Sequence, residues 1–486
     1  MQVKDLNPKI VFEIFDEITK VPRPSKKEEK IRQYLLDFAA KHNIAVKTDA
    51  VGNVVMTKPA TPGHESAPTV IMQGHMDMVC ESNNKDFDFE NSPIPTVIDG
   101  EWLRTEGTTL GADNGIGVAA ALATLIDPDL VHGPLEVLVT VDEETGMTGA
   151  FGLGENMITG NILLNLDSED DAEIFVGCAG GVDTTAVFRY ERSMSPKDFQ
   201  YFRIDVKDGL GGHSGGDIHL GRANANKLLA RFLWNVSKKH EVSVVEFDGG
   251  NLRNAIPRAA HAVVGIHCSK KEEIVVDLNN YAADIANEYA GIEPTLKLEI
   301  ATAENPDFCI DSSTSERLIR ALYACPHGVV SMSRDLEGLV ETSTNLAAVK
   351  MQPDHSILVT TSQRSSVESR KWDIANQVEA VFRLAGAEVT HGDGYPGWQP
   401  DMKSPIMKIA SDAYEELYGI KPAIKAIHAG LECGLFKSTH PHLDMVSFGP
   451  TLRDVHSPSE RMHIPAVDRF WNQLRRILEK VAEIKA

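Results

Sequence analysis

The sequence predicts an α/β fold: a three-layer α/β/α unit around a central, mostly parallel sheet, interrupted by an inserted α+β unit. Three observations predict it. Near the start, short β-rich runs alternate with helix-sized stretches, which suits parallel strands covered on both faces. From about Val182 the strands lengthen and alternate in polarity. After the turn-rich segment 394–400 the short α/β pattern returns. One unit drawn from both ends of the chain, residues 1–182 and 396–486, is therefore expected to enclose a second at 183–395.

Helices are predicted at 8–19 and at 25–42, where Ser25 and Glu28 have the spacing of a capping box. The apolar runs 69–72, 135–141 and 161–166 read as strands, and the Ala-rich stretch 115–126 as the clearest intervening helix. In the insertion, 202–206 and 262–266 read as strands, 223–234 and 272–289 as helices. A faint repeat lies there. Asn251-Leu252 stands ten residues before His261, and Asn345-Leu346 ten before His355, each ahead of a strand and then a helix. An internally duplicated α+β unit is expected. The closing segment carries a helix at 405–418, a strand at 444–448 and a helix at 467–484.

The 486 residues are 42% apolar and 24% charged, near the globular average, so disorder and fibrous repeats are disfavoured. Lys plus Arg number 48 against 70 Asp plus Glu, and the resulting charge of −22 repels phosphate backbones and anionic lipid. Neither nucleic acid nor a membrane surface is expected as a partner; metal ions fare better. The start lacks the apolar core of a signal peptide, and no run nears the roughly 18 apolar residues of a membrane span. Six cysteines stand singly with no C-x-x-C pair, so reduced thiols and a cytoplasmic location are expected.

The residues that carry chemistry fall at predicted strand exits. His75-Met76-Asp77 follows an apolar strand directly, at the edge where open α/β sheets place ligands. An aspartate two residues past a histidine can accept the ring N–H that a metal does not use. The same pattern recurs at His391-Gly392-Asp393 and His442-Leu443-Asp444, but in a Gly-rich linker and ahead of a strand. Asp113, within Gly111-Ala112-Asp113-Asn114-Gly115, opens the Ala-rich helix, where an ordinary N-cap is the alternative to a carboxylate shared by two cations. Of four Glu-Glu pairs, only Glu143-Glu144 lies at a strand exit before a Gly-rich turn. Adjacent carboxylates repel unless one binds a cation, and the other is then free to act as a base. Asp167 ends the next strand, and His456 follows the strand at 444–448 by a short loop. Two imidazoles and three carboxylates suit two Zn²⁺-like ions bridged by one carboxylate. With a hydroxide the cluster is neutral, and Glu143 remains over to take a proton.

In this order and context, Gly74-His-Met-Asp77, Gly111-Ala-Asp-Asn114, Asp142-Glu-Glu144, Asp167 and His456 resemble the motifs of a known family. It is the metal-dependent amidohydrolase family of aminoacylases, glutamate-releasing carboxypeptidases and carnosinases. Gly211-Gly-His-Ser-Gly-Gly216, Leu252-Arg-Asn-Ala-Ile-Pro257, Tyr395-Pro-Gly-Trp-Gln-Pro400 and His428-Ala-Gly-Leu-Glu-Cys-Gly434 resemble its dipeptidase branch, and this likeness covers nearly the whole chain.

The resemblance implies that Asp113 bridges two divalent ions, Zn²⁺ first, with Co²⁺ or Mn²⁺ as alternatives. His75 and Asp167 would hold one ion, Glu144 and His456 the other, and the Asp113–Asn114 peptide would be cis. Asp77 would orient His75. Glu143 would serve as general base and then acid in hydrolysis of dipeptides, Xaa-His included, by a metal-bridging hydroxide. From the inserted lid, His213 would donate to the scissile carbonyl oxygen, and Arg364 would clamp the substrate carboxylate, with Asn254 as a weaker polar contact. Lid closure around a small peptide and a homodimer are further expectations of the resemblance. An N-acyl-amino-acid deacylase or a short-peptide aminopeptidase is the alternative, because it needs the same metals and differs only where the substrate's ends are received.

Overall fold

The continuous apolar runs become central strands. Every residue of Val70–His75 and of Leu135–Thr140 is buried, as strands covered on both faces require. They pair in parallel with each other, and Val70–His75 pairs in parallel with Ile162–Asn165, which does so with Asp444–Ser447. The computed structural model describes residues 2–485 and divides into two units. The first holds the chain up to Gly177, Pro400–Ala426 and the residues from Leu431 on; the second holds Cys178–Gln399 and Ile427–Gly430.

In the first unit the sheet has eight strands in the order Ala45–Thr48, Val54–Lys58, Leu135–Thr140, Val70–His75, Ile162–Asn165, Asp444–Ser447, Glu173–Cys178 and Ala423–Ile427. Helix Ala112–Ile126 packs on Lys9–Ile18 and on strand Val70–His75; Pro405–Tyr418 packs on Ile464–Ala482 and on strand Asp444–Ser447. The predicted capping box is a correction. The helix begins at Glu29, Ser25 Oγ donates to Asp77 Oδ2 (2.8 Å), and Glu28 Oε1 accepts from the N–H of Lys26 (2.7 Å) and of Asp142 (3.1 Å). A distant carboxylate took the Ser25 hydroxyl, and Glu28 is shared between the neighbouring Lys26 and the distant Asp142 rather than spent on the Ser25 N–H.

The second unit is built on a nine-stranded sheet whose pairings among the described residues are antiparallel. From its middle, Ser243–Gly249, Ala260–His267, Phe199–Lys207 and Lys297–Thr302 follow one another to one side and Val340–Gln352, Ser356–Ser365, Gly180–Arg189 and Glu388–His391 to the other; the ninth strand, Gly328–Met332, pairs with Val340–Gln352 off this row. Each half is thus a hairpin, a third strand and an edge strand reached through a helix, Lys271–Glu288 or Glu368–Leu384. The two Asn-Leu pairs do not sit at equivalent places in these halves. Asn251 and Leu252 follow a strand, whereas Asn345 and Leu346 lie inside Val340–Gln352.

His327 is half-buried in this unit, with its Nδ1 accepting from Asn224 Nδ2 (3.3 Å) and from the Leu346 N–H (3.4 Å). Burial, then the Lys227 ammonium, hold its pKa down to about 3. An unfolded histidine titrates near 6.5, so only the unfolded chain binds this proton between those values. The contribution of neutral His327 to stability is therefore complete above about pH 6.5 and is lost as pH falls toward 3. His327→Gln is expected to flatten the pH dependence of second-unit stability across that window by about one proton. Denaturant unfolding at a series of pH values measures it.

Candidate metal centre

Parallel pairing sets His75 opposite Thr140 and Gln73 opposite Asn165, so the exits that carry His75, Glu143, Glu144 and Asp167 share one rim of the sheet. His75 Nδ1 lies 3.2 Å from Asp77 Oδ1, which leaves Nε2 to face outward. That nitrogen lies 3.1 Å from Asp113 Oδ1 and 3.5 Å from Asp167 Oδ1. Asp113 Oδ2 lies 3.1 Å from His456 Nε2, which is 3.0 Å from Glu144 Oε2. Asp113 thus offers one oxygen to a His75–Asp167 cluster and the other to a His456–Glu144 cluster. The clusters adjoin: one donor atom each of His75, Asp113 and Glu144 lies within 4.8 Å of the others.

Local structure fixes each donor. Asp113 and Asn114 depart from helical geometry at the start of Ala112–Ile126, their peptide is cis, and Asn114 Nδ2 donates to the Leu166 carbonyl (2.7 Å). Asp142 leaves its strand at φ +52°, a left-handed turn uncommon for a non-glycine residue, with its carboxylate bonded by the hydroxyls of Thr145 and Thr148. Asp77 also accepts from the N–H groups of Glu143 (3.0 Å) and Glu144 (3.2 Å), so one carboxylate aims the His75 ring and anchors the Glu-Glu turn. Burial would raise the Asp77 pKa, but the bonds from His75, Ser25 and Glu143 hold it below the usual carboxylate range.

The electrostatics describe donors short of cations. Burial raises the pKa of Asp167 well above its ordinary value, and Asp113 adds to this. Burial does the same to Glu143, with Asp167, Glu432 and Glu144 adding to it against His75. Hydrogen bonds to Asp113 and then Glu144 push His456 up to about 11. Buried Glu144 Oε1 and Asp167 Oδ1 have no hydrogen-bond partner, an expensive state for a carboxylate oxygen without a cation. Nitrogen and oxygen donors with two unspent oxygens fit a pair of divalent ions of the zinc type.

Sequence reading missed three buried charges beside this centre. Glu432 Oε2 accepts from Gln73 Nε2 (2.6 Å) and Thr140 Oγ1 (2.9 Å), and burial pushes its pKa up to about 7. Its segment 428–434 stood out in the sequence, without a role. Arg23 and Glu460 carried no signal at all.

In the second unit, His213 lies in a short ribbon opposite Ala255, and the Ser214 N–H donates to the Asn254 carbonyl (2.8 Å). His213 Nδ1 accepts from the N–H groups of Gly215 (3.2 Å) and Gly216 (3.0 Å), so the ring proton resides on Nε2. Burial, then Arg364, lower the His213 pKa, which keeps it a neutral donor. Arg364 ends a strand with Nη1 donating to the Tyr395 hydroxyl (2.8 Å), while its buried Nε has no hydrogen-bond partner. Asn254 is exposed and with His213 lines a groove of about 660 Å³; Arg364 is not part of that lining.

The profile of peptidase family M20/M25/M40 matches residues 71–480. The chain belongs to this family. It is 42% identical over 481 residues to the cytosol non-specific dipeptidase of Escherichia coli strain K12, covering 99% of each chain. A crystal structure of aminoacylhistidine dipeptidase from Vibrio alginolyticus superposes with a TM-score of 0.93 at 43% identity, covering 99% of this chain and 98% of that one. A tripeptidase from Staphylococcus aureus shares the fold, with a TM-score of 0.58 at 16% identity over 99% of this chain and all of its own.

Asp113→Asn is expected to abolish retention of both ions, and Asp77→Asn to weaken the ion at His75 by about 10–100-fold. Equilibrium dialysis followed by elemental analysis distinguishes them.

Proposed function

We propose that the protein is a two-metal dipeptidase that cleaves the peptide bond of free dipeptides, Xaa-His included. The observation that carries this reading is an unligated glutamate, Glu143, next to two donor clusters that share Asp113. A scaffold that merely bound peptides would need no such base. The identity of 42% to a dipeptidase over 99% of both chains supports the substrate class.

His75, Asp113 and Asp167 would hold one ion; His456, Asp113 and Glu144 the other. Bound divalent ions supply Lewis acidity and lower the pKa of a coordinated water. Glu143 then receives the water's proton at its carboxylate, and burial makes it a better proton acceptor than an exposed glutamate. The same carboxyl returns the proton to the departing amine nitrogen, without which an amide leaves poorly. Asp77 keeps the His75 tautomer and the start of the Glu-Glu turn in place. His213 donates from Nε2 to the carbonyl oxygen as charge builds there. Arg364, with spare N–H donors, receives the carboxylate at the substrate's far end, and Asn254 adds a polar contact.

Zn²⁺ is the ion we favour on donor type, with Co²⁺ and Mn²⁺ compatible. The named cytosolic relative supports a cytoplasmic location, and no helix among the described residues is long and apolar enough to cross a membrane. A homodimer completes the reading, and light scattering tests it.

Glu143→Gln is expected to lower kcat by about 10²–10⁴-fold with metal content unchanged. Full turnover by that variant would refute the assignment. Arg364→Gln is expected to raise KM about 10–100-fold for free-acid dipeptides and to leave dipeptide amides unaffected. A panel of N-acylated amino acids cleaved faster than dipeptides would instead favour the deacylase reading.

A further inference from the structure

Two buried charges outside the proposed ligand set converge on the segment that carries Asp113. Arg23 and Glu460 are each 2% exposed. Glu460 Oε2 accepts from the N–H groups of Leu110 (2.6 Å) and Gly111 (2.9 Å), and Oε1 from those of Ala112 (2.8 Å) and Asp113 (3.3 Å). Arg23 Nη1 donates to the carbonyls of Met76 (3.1 Å) and Asp77 (2.8 Å), and Nη2 donates to that of Gly111. Gly111 therefore gives its N–H to the carboxylate and its carbonyl to the guanidinium. The glycines flanking Asp113 admit this arrangement: a Cβ at Gly111 would stand 2.5 Å from Arg23 Nη2, and one at Gly115 2.7 Å from it. Burial of the Arg23 guanidinium is opposed by the nearby charges of Glu460, Asp77 and Asp113.

The first N–H groups of a helix need acceptors, and a nearby aspartate is the usual one. Here a carboxylate about 350 residues away takes the N–H groups of residues 110–113, the turn that enters the helix and carries Asp113, while both oxygens of Asp113 face the imidazoles. Glu460 also stands four residues after His456, in a loop that bends through left-handed backbone at Asp454 (φ +56°) and His456 (φ +59°). That loop is stapled by Ser457 Oγ donating to the Asp454 carbonyl (2.6 Å) and by the Glu460 N–H donating to the Ser457 carbonyl (3.1 Å). Glu460 thus joins the backbone that carries His456 to the backbone that carries Asp113.

We propose that Glu460 is a positioning residue: it clamps the turn that carries Asp113 and fixes His456 against Asp113, with Arg23 as the tie from that turn to the His75–Asp77 exit. This rests on the two-metal reading. The stripped protein is titrated with Zn²⁺ against a chromophoric chelator, for wild type, Glu460→Gln and Glu136→Gln. Glu136 is a matched control, buried and accepting from the N–H groups of Thr159 (2.9 Å) and Gly160 (3.2 Å) at the opposite end of the sheet's strands.

Glu460→Gln is expected to weaken one of the two ions at least about tenfold, a scale typical of support to metal ligands. Excess Zn²⁺ should then restore kcat with KM unchanged. Glu136→Gln should lower the thermal midpoint and leave both affinities as in wild type. If Glu460→Gln does not fold, Glu460→Asp, one methylene shorter, should show the same selective loss. Wild-type affinity for both ions in a folded Glu460 variant would overturn the proposal, as would an equal loss of affinity in Glu136→Gln. A wild type that binds no ion in stoichiometric amount would overturn the two-metal reading itself, a result visible before any variant is compared.

Discussion

The centre depends on one carboxylate being divided. Asp113 turns one oxygen to His75 and the other to His456, residues that lie 381 positions apart in the chain (456 − 75). A buried aspartate at a helix start would ordinarily spend its oxygens on the first N–H groups of that helix. Here the turn that carries it, residues 110–113, is held by Glu460 instead, and its two oxygens face the two imidazoles. With Asp167, Glu143 and Glu144 crowded around it, the rim holds more anionic charge than its histidines compensate. The pair of divalent cations proposed for this centre would relieve that imbalance.

Beneath the rim lies a row of buried polar side chains that interrupts otherwise apolar strands. Gln73, Thr140, Asn165 and Ser447 are each at most 1% exposed. Asn165 accepts from the Ser447 hydroxyl and donates to Gln73 Oε1 (2.6 Å), and Gln73 donates to Glu432 (2.6 Å), which also accepts from Thr140. The donors run one way across three strands and end on a carboxylate. Such a chain is polarised along its length and resists rearrangement, because reversing one amide would unpair its neighbours. It explains why residues of this type stand two positions before His75 and Asp167, on the same side of their strands.

In the second unit the proposed substrate contact His213 is held neutral rather than charged. Two backbone N–H groups fix the His213 tautomer, and burial, then the Arg364 guanidinium, lower its pKa, so the ring presents a neutral N–H donor. Arg364 itself is held by the Tyr395 hydroxyl with part of its guanidinium unspent.

The α/β class, the strands and the candidate donors at their exits were legible in the sequence, because strand runs and ligand spacing are local patterns of two to six residues. His75 with Asp77, and Glu143 beside Glu144, are of this kind. The support around them was not legible. Ser25 and Glu28 had the spacing of a capping box, yet bond Asp77 and Asp142; Arg23 reaches Asp77 across 54 positions and Glu460 reaches Leu110 across 350. Local spacing limits which bonds a side chain can make nearby. Burial then compels every polar group to find a partner, and only the folded chain settles which distant one it meets.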